Sequence, residues 1–401
     1  MRFLRIAGAG ALVALAAFVA LCAGLEMAAR VYLWHFASKR QFQTYASIRQ
    51  LHERAVQGGT ALKPYTAHRY IGYIPAPNYA KGLNHHNSLG YRGEEIVVPK
   101  PKNAFRIVCI GGSTTYTPGV QDWHSTYPSR LEKDLRQAGF NVRVVNAGAE
   151  SWMSYAALIN FELRVRYLDP DMVIVSQGIE DTIGRFVWPP EAYRGDNSGV
   201  KRATVSSVYM PGIFEYSTFL RMILIRMGWS RPMASTEETL NTWQPTFVGL
   251  PLHNGKAYAS RYQKEQRKVS VREVLTANPP VYFRRNLENL AVVAKSEHIM
   301  PLFAPVTTCP GFSRFSWVND PAMARALAET NTVIKEVAAD TGSEYFDLAA
   351  EFPRTKSYFC DGCHVSKKGA QLKARLFARF ILGHHLIPDV YRTLRKEGSF
   401  Q

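Results

Sequence analysis

The sequence lacks long basic runs, internal repeats and low-complexity segments, and acidic residues and cysteines are few. It has 32 Asp and Glu against 49 Lys and Arg, a formal net charge of +17, and five cysteines in 401 residues. The basic residues are spread along the chain without a nucleic-acid-binding motif, so we expect no nucleic-acid partner. A solvated basic surface facing anionic lipid or acidic glycan explains the charge more simply. With 46% hydrophobic residues, the chain is expected to bury a large core rather than to be disordered.

One apolar run, residues 6–25, contains no charged residue. Its length matches the ~20 residues that a helix needs to cross a bilayer. Arg2 and Arg5 precede it as in a signal peptide, but the run exceeds the usual apolar core of such peptides and no small-x-small cleavage site follows. We therefore expect an uncleaved membrane anchor, with cleavage or lipid attachment at Cys22 as alternatives. Basic residues flank the run about equally, so charge does not fix its orientation.

Composition divides the chain into segments. We expect a short N-terminal tail (1–5), the anchor (6–25), a helical stalk (26–62), a lead-in of irregular structure and short strands (63–104), a folded domain (105–385) and a C-terminal tail (386–401). Residues 182–280 interrupt the domain, and a structureless loop of that length is uncommon, so we interpret them as an inserted cap beside the site. Its apolar stretch, 217–229, is expected to be a buried cap helix, with a membrane-surface helix as the alternative.

Short apolar runs alternate with amphipathic stretches through the domain. The predicted strands are 105–110, 142–147, 172–177, 300–306 and 344–348, and the predicted helices are 127–138, 155–167, 281–297, 321–341 and 367–382. This alternation is typical of a parallel sheet with helices on both faces. The sequence therefore predicts an α/β fold.

The first candidate functional residue is Ser113, in the sequence IGGSTT at the end of the first predicted strand. Ligands of parallel sheets bind beyond the carboxyl ends of the strands, and a glycine such as Gly112 permits a tight turn there. The serine would then begin a helix or turn whose N–H groups point at developing negative charge. Alone, this motif fits a helix cap or a phosphate site equally well.

A second motif, Asp361-Gly362-Cys363-His364, precedes the last predicted helix. A histidine activates a serine by accepting its proton, and a carboxylate holds the imidazole in the required tautomer. We therefore interpret Ser113, His364 and Asp361 as nucleophile, base and orienting residue. Asp347 is an alternative orienting residue, although a helix cap is its more ordinary role.

In order and spacing these motifs resemble the SGNH (GDSL-like) hydrolases. The matching blocks are Ser113 in GGSTT, Gly148 in VVNAGAES, Gly178 and Asp181 in GIED, and Asp361 with His364. The resemblance covers residues 105–382, and the lead-in NSLGYRGEE (87–95) resembles the segment preceding this domain in bacterial membrane-anchored members. It implies a three-layer α/β/α, flavodoxin-like sandwich and hydrolysis or transfer of an ester-linked acyl group. It also implies that the oxyanion is held by the N–H groups of Ser113 and Gly148 and by a side-chain amide of the third block.

The third block departs from the family, because position 180 is Glu where the family has Asn. Loss of one oxyanion donor typically lowers the rate by ~10²–10³. Three alternatives follow: Glu180 is protonated through burial and donates a hydrogen bond, it points away from the site, or hydrolysis has been lost.

The cysteines near the second motif allow several interpretations. The sequence CDGCH (360–364) matches the c-type haem attachment motif, and Cys309, Cys360, Cys363 and His364 offer the ligands of a zinc site. Because Asp361 and His364 already complete the hydrolase pattern, we expect no haem, no metal and no other cofactor. Instead we predict a disulfide from Cys309 to Cys360 or Cys363, as in an oxidising compartment.

The implied function is an O-acyl or acetyl esterase acting on an acylated small molecule, glycan or lipid. Its N-terminal helix would hold it in the membrane, with the catalytic domain on the periplasmic side of a bacterial inner membrane. The alternatives are an O-acyltransferase for envelope polysaccharide and a binding or assembly protein that retains the fold. The sequence does not specify the acyl group, the acceptor or the oligomeric state.

Overall fold

The structure is a computed structural model that describes residues 2–47, 50, 64–200, 216–229, 246–248 and 269–393. The chain forms two compact units. The first comprises Met1–Ala61, Lys201–Thr246 and Ala257–Lys264, and the second comprises Leu62–Val200, Phe247–Lys256 and Glu265–Gln401.

Within the described residues the helices and strands have the following bounds. The helices are α1 (Arg2–Val31), α2 (Lys39–Tyr45), α3 (Ser113–Tyr116), α4 (Tyr127–Gln137), α5 (Ser154–Asn160), α6 (Ile179–Gly184), α7 (Thr218–Arg226), α8 (Val271–Ala277), α9 (Val281–Ser296), α10 (Pro321–Thr341), α11 (Leu348–Glu351) and α12 (Lys367–Gly383). The strands are β1 (Tyr65–His68), β2 (Gly72–Pro75), β3 (Ala80–Lys81), β4 (Asn84–His85), β5 (Phe105–Gly111), β6 (Val142–Gly148), β7 (Met172–Ser176), β8 (Val187–Trp188), β9 (Thr246–Phe247), β10 (Met300–Phe303) and β11 (Glu344–Tyr345).

Five strands of the second unit form its central sheet, in the order β11-β10-β7-β5-β6. Every pairing between them is parallel. All seven residues of β5 are buried, as expected for a parallel strand that is covered on both faces. The edge strand β6 instead exposes Arg143 near its start.

Helices cover both faces of this sheet, and alternate residues of β5 belong to two separate cores. Ile107 packs with the apolar residues of α4 and α12 on one face. Val108 packs with those of α9 and α10 on the other. The predicted three-layer α/β/α sandwich is therefore confirmed.

Most predicted elements lie where expected, but β7 is one residue shorter than predicted and two other strands are each three residues shorter. The run at 300–306 is a strand only to Phe303, and the run at 344–348 is a strand only for Glu344–Tyr345. The second strand ends early because the Asp347 side chain accepts the N–H of Ala350 and begins α11. Asp347 is thus a helix cap rather than a partner of His364.

The lead-in and the start of the predicted C-terminal tail both pack on this unit. The lead-in contains two antiparallel pairs, β1 with β2 and β3 with β4. In the predicted tail, Leu386 and Ile387 are buried, and Arg392 forms a bridge with Phe140. The packed domain therefore extends beyond the predicted boundary at 385 to the end of the described residues at 393.

The first unit contains the predicted anchor. Residues 10–36 are long and apolar enough to cross a membrane, with a mean hydropathy of 2.2 in their most apolar window. The predicted stalk is interrupted, because the chain leaves the helix at Ala37 and α2 begins with a capping box formed by Ser38 and Gln41. Except for residue 50, the remainder of the stalk (48–62) lies outside the described residues.

The described part of the inserted segment is divided between the two units. Its two ends meet in the second unit, where the Asn278 amide donates to the carbonyl oxygens of Arg185 and Val187, each at 2.8 Å. Its apolar helix α7 belongs to the first unit, whereas Ser113 lies in the second. The expectation of an inserted cap beside the site, with a buried helix in it, stays a prediction. Residues 201–215, 230–245 and 249–268 of the insertion lie outside the described residues.

Candidate active site

Ser113 begins the four-residue helix α3 directly beyond the end of β5. Gly111 of β5 lies level with Gly148 of β6 and Ser176 of β7, so three strands end at the same edge of the sheet. A Cβ atom at Gly111 would lie 2.3 Å from the Ser176 carbonyl oxygen, which explains why this position needs glycine. The Ser113 residue is 7% exposed, so its hydroxyl is placed at this edge with little freedom.

The structure brings the three predicted residues together. The Ser113 hydroxyl oxygen lies 2.9 Å from Nε2 of His364. Nδ1 of His364 lies 2.9 Å from one carboxylate oxygen of Asp361 and 3.1 Å from the other. The carboxylate can only accept from Nδ1–H, so we assign the proton of neutral His364 to Nδ1, which leaves Nε2 free to accept from the serine.

The loop that carries Asp361 and His364 is tightly constrained. Phe359 and Val365 form an antiparallel bridge at its base, and Gly362 has a φ of 94°, which favours glycine. The Asp361 carboxylate also accepts the backbone N–H of His364 at 2.9 Å. Burial raises the pKa of Asp361, but these hydrogen bonds outweigh it and hold the pKa below its ordinary value. The carboxylate is therefore ionised and fixed relative to the imidazole.

The cysteines contradict the predicted disulfide, because all five are free thiols. The Cys309 sulfur lies 3.3 Å from the carbonyl oxygen of Arg354, and the Cys360 sulfur lies 3.7 Å from that of Gly119. The Cys363 sulfur instead lies 3.5 Å from Asp361, inside the cluster. Each thiol thus has a different neighbour.

Asp361, Cys363 and His364 also have ligand atoms within 4.8 Å of one another, which would suit a metal ion. Burial raises the pKa of the Cys363 thiol well above its ordinary value. In the structure the Cys363 sulfur takes part in the hydrogen-bonded cluster, 3.5 Å from the Asp361 carboxylate and 3.4 Å from Nδ1 of His364.

Gly148 lies directly under α3. A Cβ atom there would approach the Tyr116 nitrogen to 2.5 Å and the Thr115 Cβ to 2.8 Å. Its N–H, predicted to hold the oxyanion, instead donates to Oδ1 of Asn146 at 3.2 Å. In the structure Gly148 thus serves the close approach of α3 to β6, and its N–H is already engaged.

The other glycine and acid of the predicted site have structural partners. Gly178 precedes α6 with a φ of 146°, a conformation that favours glycine. The buried Asp181 carboxylate accepts the backbone N–H of Ser154 at 3.0 Å, the Ser154 hydroxyl at 2.5 Å and the Gln177 amide at 3.1 Å. Asp181 therefore joins the start of α5, which follows the second block, to the third block. Gly112 lies close to the loop that contains Trp152, because a Cβ atom at Gly112 would be 2.9 Å from the Trp152 carbonyl oxygen.

Glu180 is a half-buried residue in the first turn of α6. Burial of its carboxyl raises its pKa to about 7, and the nearby Asp181 and Glu150 act in the same direction. His364 is close enough to oppose that shift. Glu180 therefore belongs electrostatically to the site, and its protonation changes near neutral pH.

Arg92, a buried residue of the lead-in, was not predicted from the sequence. Its guanidinium donates to four backbone carbonyl oxygens: Tyr116 at 2.7 Å, Thr117 at 2.8 Å, Val120 at 2.6 Å and Gln121 at 3.1 Å. These carbonyl groups belong to the end of α3 and the loop after it. Arg92 therefore ties the helix that carries Ser113 to the lead-in.

Two further buried residues, His86 and Lys373, contact α3. Burial lowers the pKa of His86 to about 4, so its neutral ring accepts from the Tyr116 hydroxyl at 2.8 Å. On α12, the Lys373 ammonium lies 3.2 Å from the Thr114 carbonyl oxygen and 4.1 Å from the centre of the Tyr127 ring. Both contacts hold α3 from outside the sheet, and neither has a sequence motif that would identify it.

Arg92→Met should destabilise the second unit, because four buried carbonyl groups lose a charged donor. We expect a loss of roughly 2–4 kcal/mol in the free energy of unfolding, measured by urea denaturation. Arg143→Met is the matched control, since the ion pair of Arg143 with Glu132 is partly exposed and should contribute less than about 1 kcal/mol. Equal small losses in both variants would show that Arg92 does not hold α3.

Comparison with known proteins gives the family. A model of the GDSL-like lipase/acylhydrolase family matches residues 109–372. Similar solved structures include a lipase/acylhydrolase from Enterococcus faecalis, which is 18% identical to this chain. The match covers 70% of this chain and 96% of the Enterococcus chain, with a TM-score of 0.39. A catalytic mutant of an acetylxylan esterase from Geobacillus stearothermophilus is 16% identical. Here the match covers 69% of this chain and 94% of the esterase, with a TM-score of 0.39. No curated protein matches. Because the family model spans more than half of its length, the chain belongs to the GDSL-like lipase/acylhydrolase family.

Proposed function

We propose that this acylhydrolase is a serine esterase that removes an ester-linked acyl group from a carbohydrate or lipid outside the cytoplasm. The observation that carries the proposal is the hydrogen-bonded series Ser113, His364 and Asp361, with both ring nitrogens of the histidine engaged at 2.9 Å. A serine hydroxyl becomes a nucleophile when a positioned base accepts its proton. The net charge of +17 supports a substrate or surface that carries negative charge.

Each step of the reaction has a group in the proposed site. Nε2 of His364 accepts the hydroxyl proton while the serine oxygen attacks the ester carbonyl carbon. Asp361 stabilises the imidazolium that forms, and Nε2–H then protonates the leaving alcohol. Water attacks the acyl-serine with the same histidine as base, which releases the acid and restores Ser113.

The oxyanion in this mechanism requires hydrogen-bond donors. The N–H of Ser113 lies in the first turn of α3, where N–H groups have no acceptor within the helix. Glu180 is proposed as a further donor in its protonated form, because a neutral carboxyl group donates a hydrogen bond whereas a carboxylate repels the oxyanion. Because the pKa of Glu180 is raised to about 7, the protonated form predominates below neutral pH and the carboxylate above it.

Ser113→Ala should abolish hydrolysis of p-nitrophenyl acetate by the purified full chain, with a fall of at least ~10³-fold in kcat. The control is Ser296→Ala, which changes an exposed serine at the end of α9. Release of p-nitrophenol is followed by absorbance. Equal rates in the wild type and Ser113→Ala would disprove the proposed nucleophile.

The rate of hydrolysis should decline at alkaline pH because of Glu180. As the pH rises through about 7, Glu180 loses its proton and becomes a carboxylate, so kcat/KM should fall. Glu180→Gln keeps a neutral donor at every pH, so the decline should disappear and the variant should exceed the wild type by about tenfold or more at high pH.

The control for this experiment is Glu150→Gln, which removes a neighbouring carboxylate that raises the pKa of Glu180. This variant should keep the alkaline decline and move its midpoint to lower pH. A wild-type profile that stays flat from neutral to alkaline pH would contradict the role of Glu180.

A further inference from the structure

The end of the predicted anchor binds a helix that is almost two hundred residues away in sequence. The Glu26 carboxylate of α1 accepts the N–H groups of Thr218 at 2.9 Å and Phe219 at 3.0 Å, and the Ser217 hydroxyl at 2.9 Å. A carboxylate at this position caps the first turn of α7 and interacts favourably with the helix dipole. Since the uncharged run ends at residue 25, α7 begins where that run stops.

A second contact reinforces this junction. Arg30, one turn further along α1, pairs with Glu26 at 2.7 Å and donates to the carbonyl oxygen of Tyr216 at 2.7 Å. On α7 itself, Thr218, Arg221 and Ile225 are buried, a spacing that places them on one face of the helix. These contacts with α1 therefore fix which face of α7 is buried.

The remaining surface of α7 and its flanks is apolar and basic. Phe219 and Ile223, on the opposite side of the helix, are half-buried. Tyr216, Met227 and Trp229 at its two ends are 69%, 52% and 72% exposed. Residues 216–229 contain no acidic residue; Arg226 is exposed, whereas Arg221 is buried and donates to the carbonyl oxygen of Tyr45 at 2.8 Å.

This apolar surface adjoins that of α1. Met27 and Val31, in the turns of α1 next to Glu26 and Arg30, are 63% and 43% exposed. In water, exposed apolar side chains of this size are unfavourable, whereas Trp and Tyr are enriched where a bilayer meets water. A helix that exposes apolar side chains beside an arginine, as α7 does at Arg226, is suited to the plane of that interface.

We propose that α7 and its flanks, residues 216–229, lie in the lipid–water interface beside α1. The first unit then contacts the bilayer twice, through the spanning helix and through a surface helix fixed to its end by Glu26 and Arg30. This inference rests on the proposed membrane anchor. It favours a surface helix over a cap helix for this apolar stretch.

Fluorescence quenching in vesicles tests the position of α7. The full chain, with exposed Cys22 and Cys360 changed to serine, carries an environment-sensitive fluorophore at Met227→Cys or at Leu15→Cys. Leu15 is 59% exposed on α1 and reports on the span. The proteins are reconstituted into phosphatidylcholine and phosphatidylglycerol vesicles with nitroxide quenchers at the lipid headgroup, deep in the acyl chain, or in water. Circular dichroism of each labelled protein, compared with the unlabelled full chain, checks that it is folded.

The label at 227 should have blue-shifted emission and lose more intensity to headgroup nitroxides than to deep ones, whereas the label at 15 should show the reverse preference. If the 15 label is quenched by deep nitroxides while the 227 label responds to the water-soluble quencher alone, the surface helix is refuted and the anchor stands. If both labels respond to the water-soluble quencher alone, the anchor is refuted and the surface helix with it.

Discussion

The hydrogen bond between Ser113 and His364 joins residues that are 251 positions apart, and the fold of the second unit holds both of them in place. The serine is placed by the level ends of β5, β6 and β7. The histidine is placed by a short bridged loop between Phe359 and Val365. A hydrogen bond of this kind fails if either side shifts by about 1 Å, so the surrounding packing decides whether the serine can be activated.

Buried basic residues hold α3 on two sides. Arg92 reaches it from the lead-in and Lys373 from α12, and both donate to backbone carbonyl oxygens. Burial lowers the pKa of Lys373 to about 7, because no carboxylate among its described contacts compensates for the loss of water. Burying two cationic side chains at one short helix costs folding free energy. We infer that their role is to fix the position of α3 rather than to stabilise the fold. The lead-in therefore belongs to the proposed site as a support for Ser113.

Hydrophobic periodicity was sufficient to predict the parallel sheet and its covering helices, because the central strands β5 and β7 are buried on both faces. It overestimated the last strand, since the local hydrogen bond made by Asp347 competes with strand continuation. The residues around Ser113 were predicted from their motifs, but Arg92 was not, because its acceptors are backbone carbonyl groups that leave no side-chain pattern. The apolar pattern of α7 fits both a buried cap helix and a surface helix, and its contact with Glu26 at the end of the apolar run is the reason for proposing the second.

The proposed mechanism depends most on Ser113 being a nucleophile that His364 activates. Reaction of the full chain with a fluorophosphonate, followed by mass spectrometry of its peptides, tests this directly, because the reagent forms a covalent bond with an activated serine. We expect one adduct on Ser113, and we expect it to be lost in His364→Ala although the serine remains. An adduct on another residue, no adduct at all, or equal labelling of His364→Ala would contradict the account.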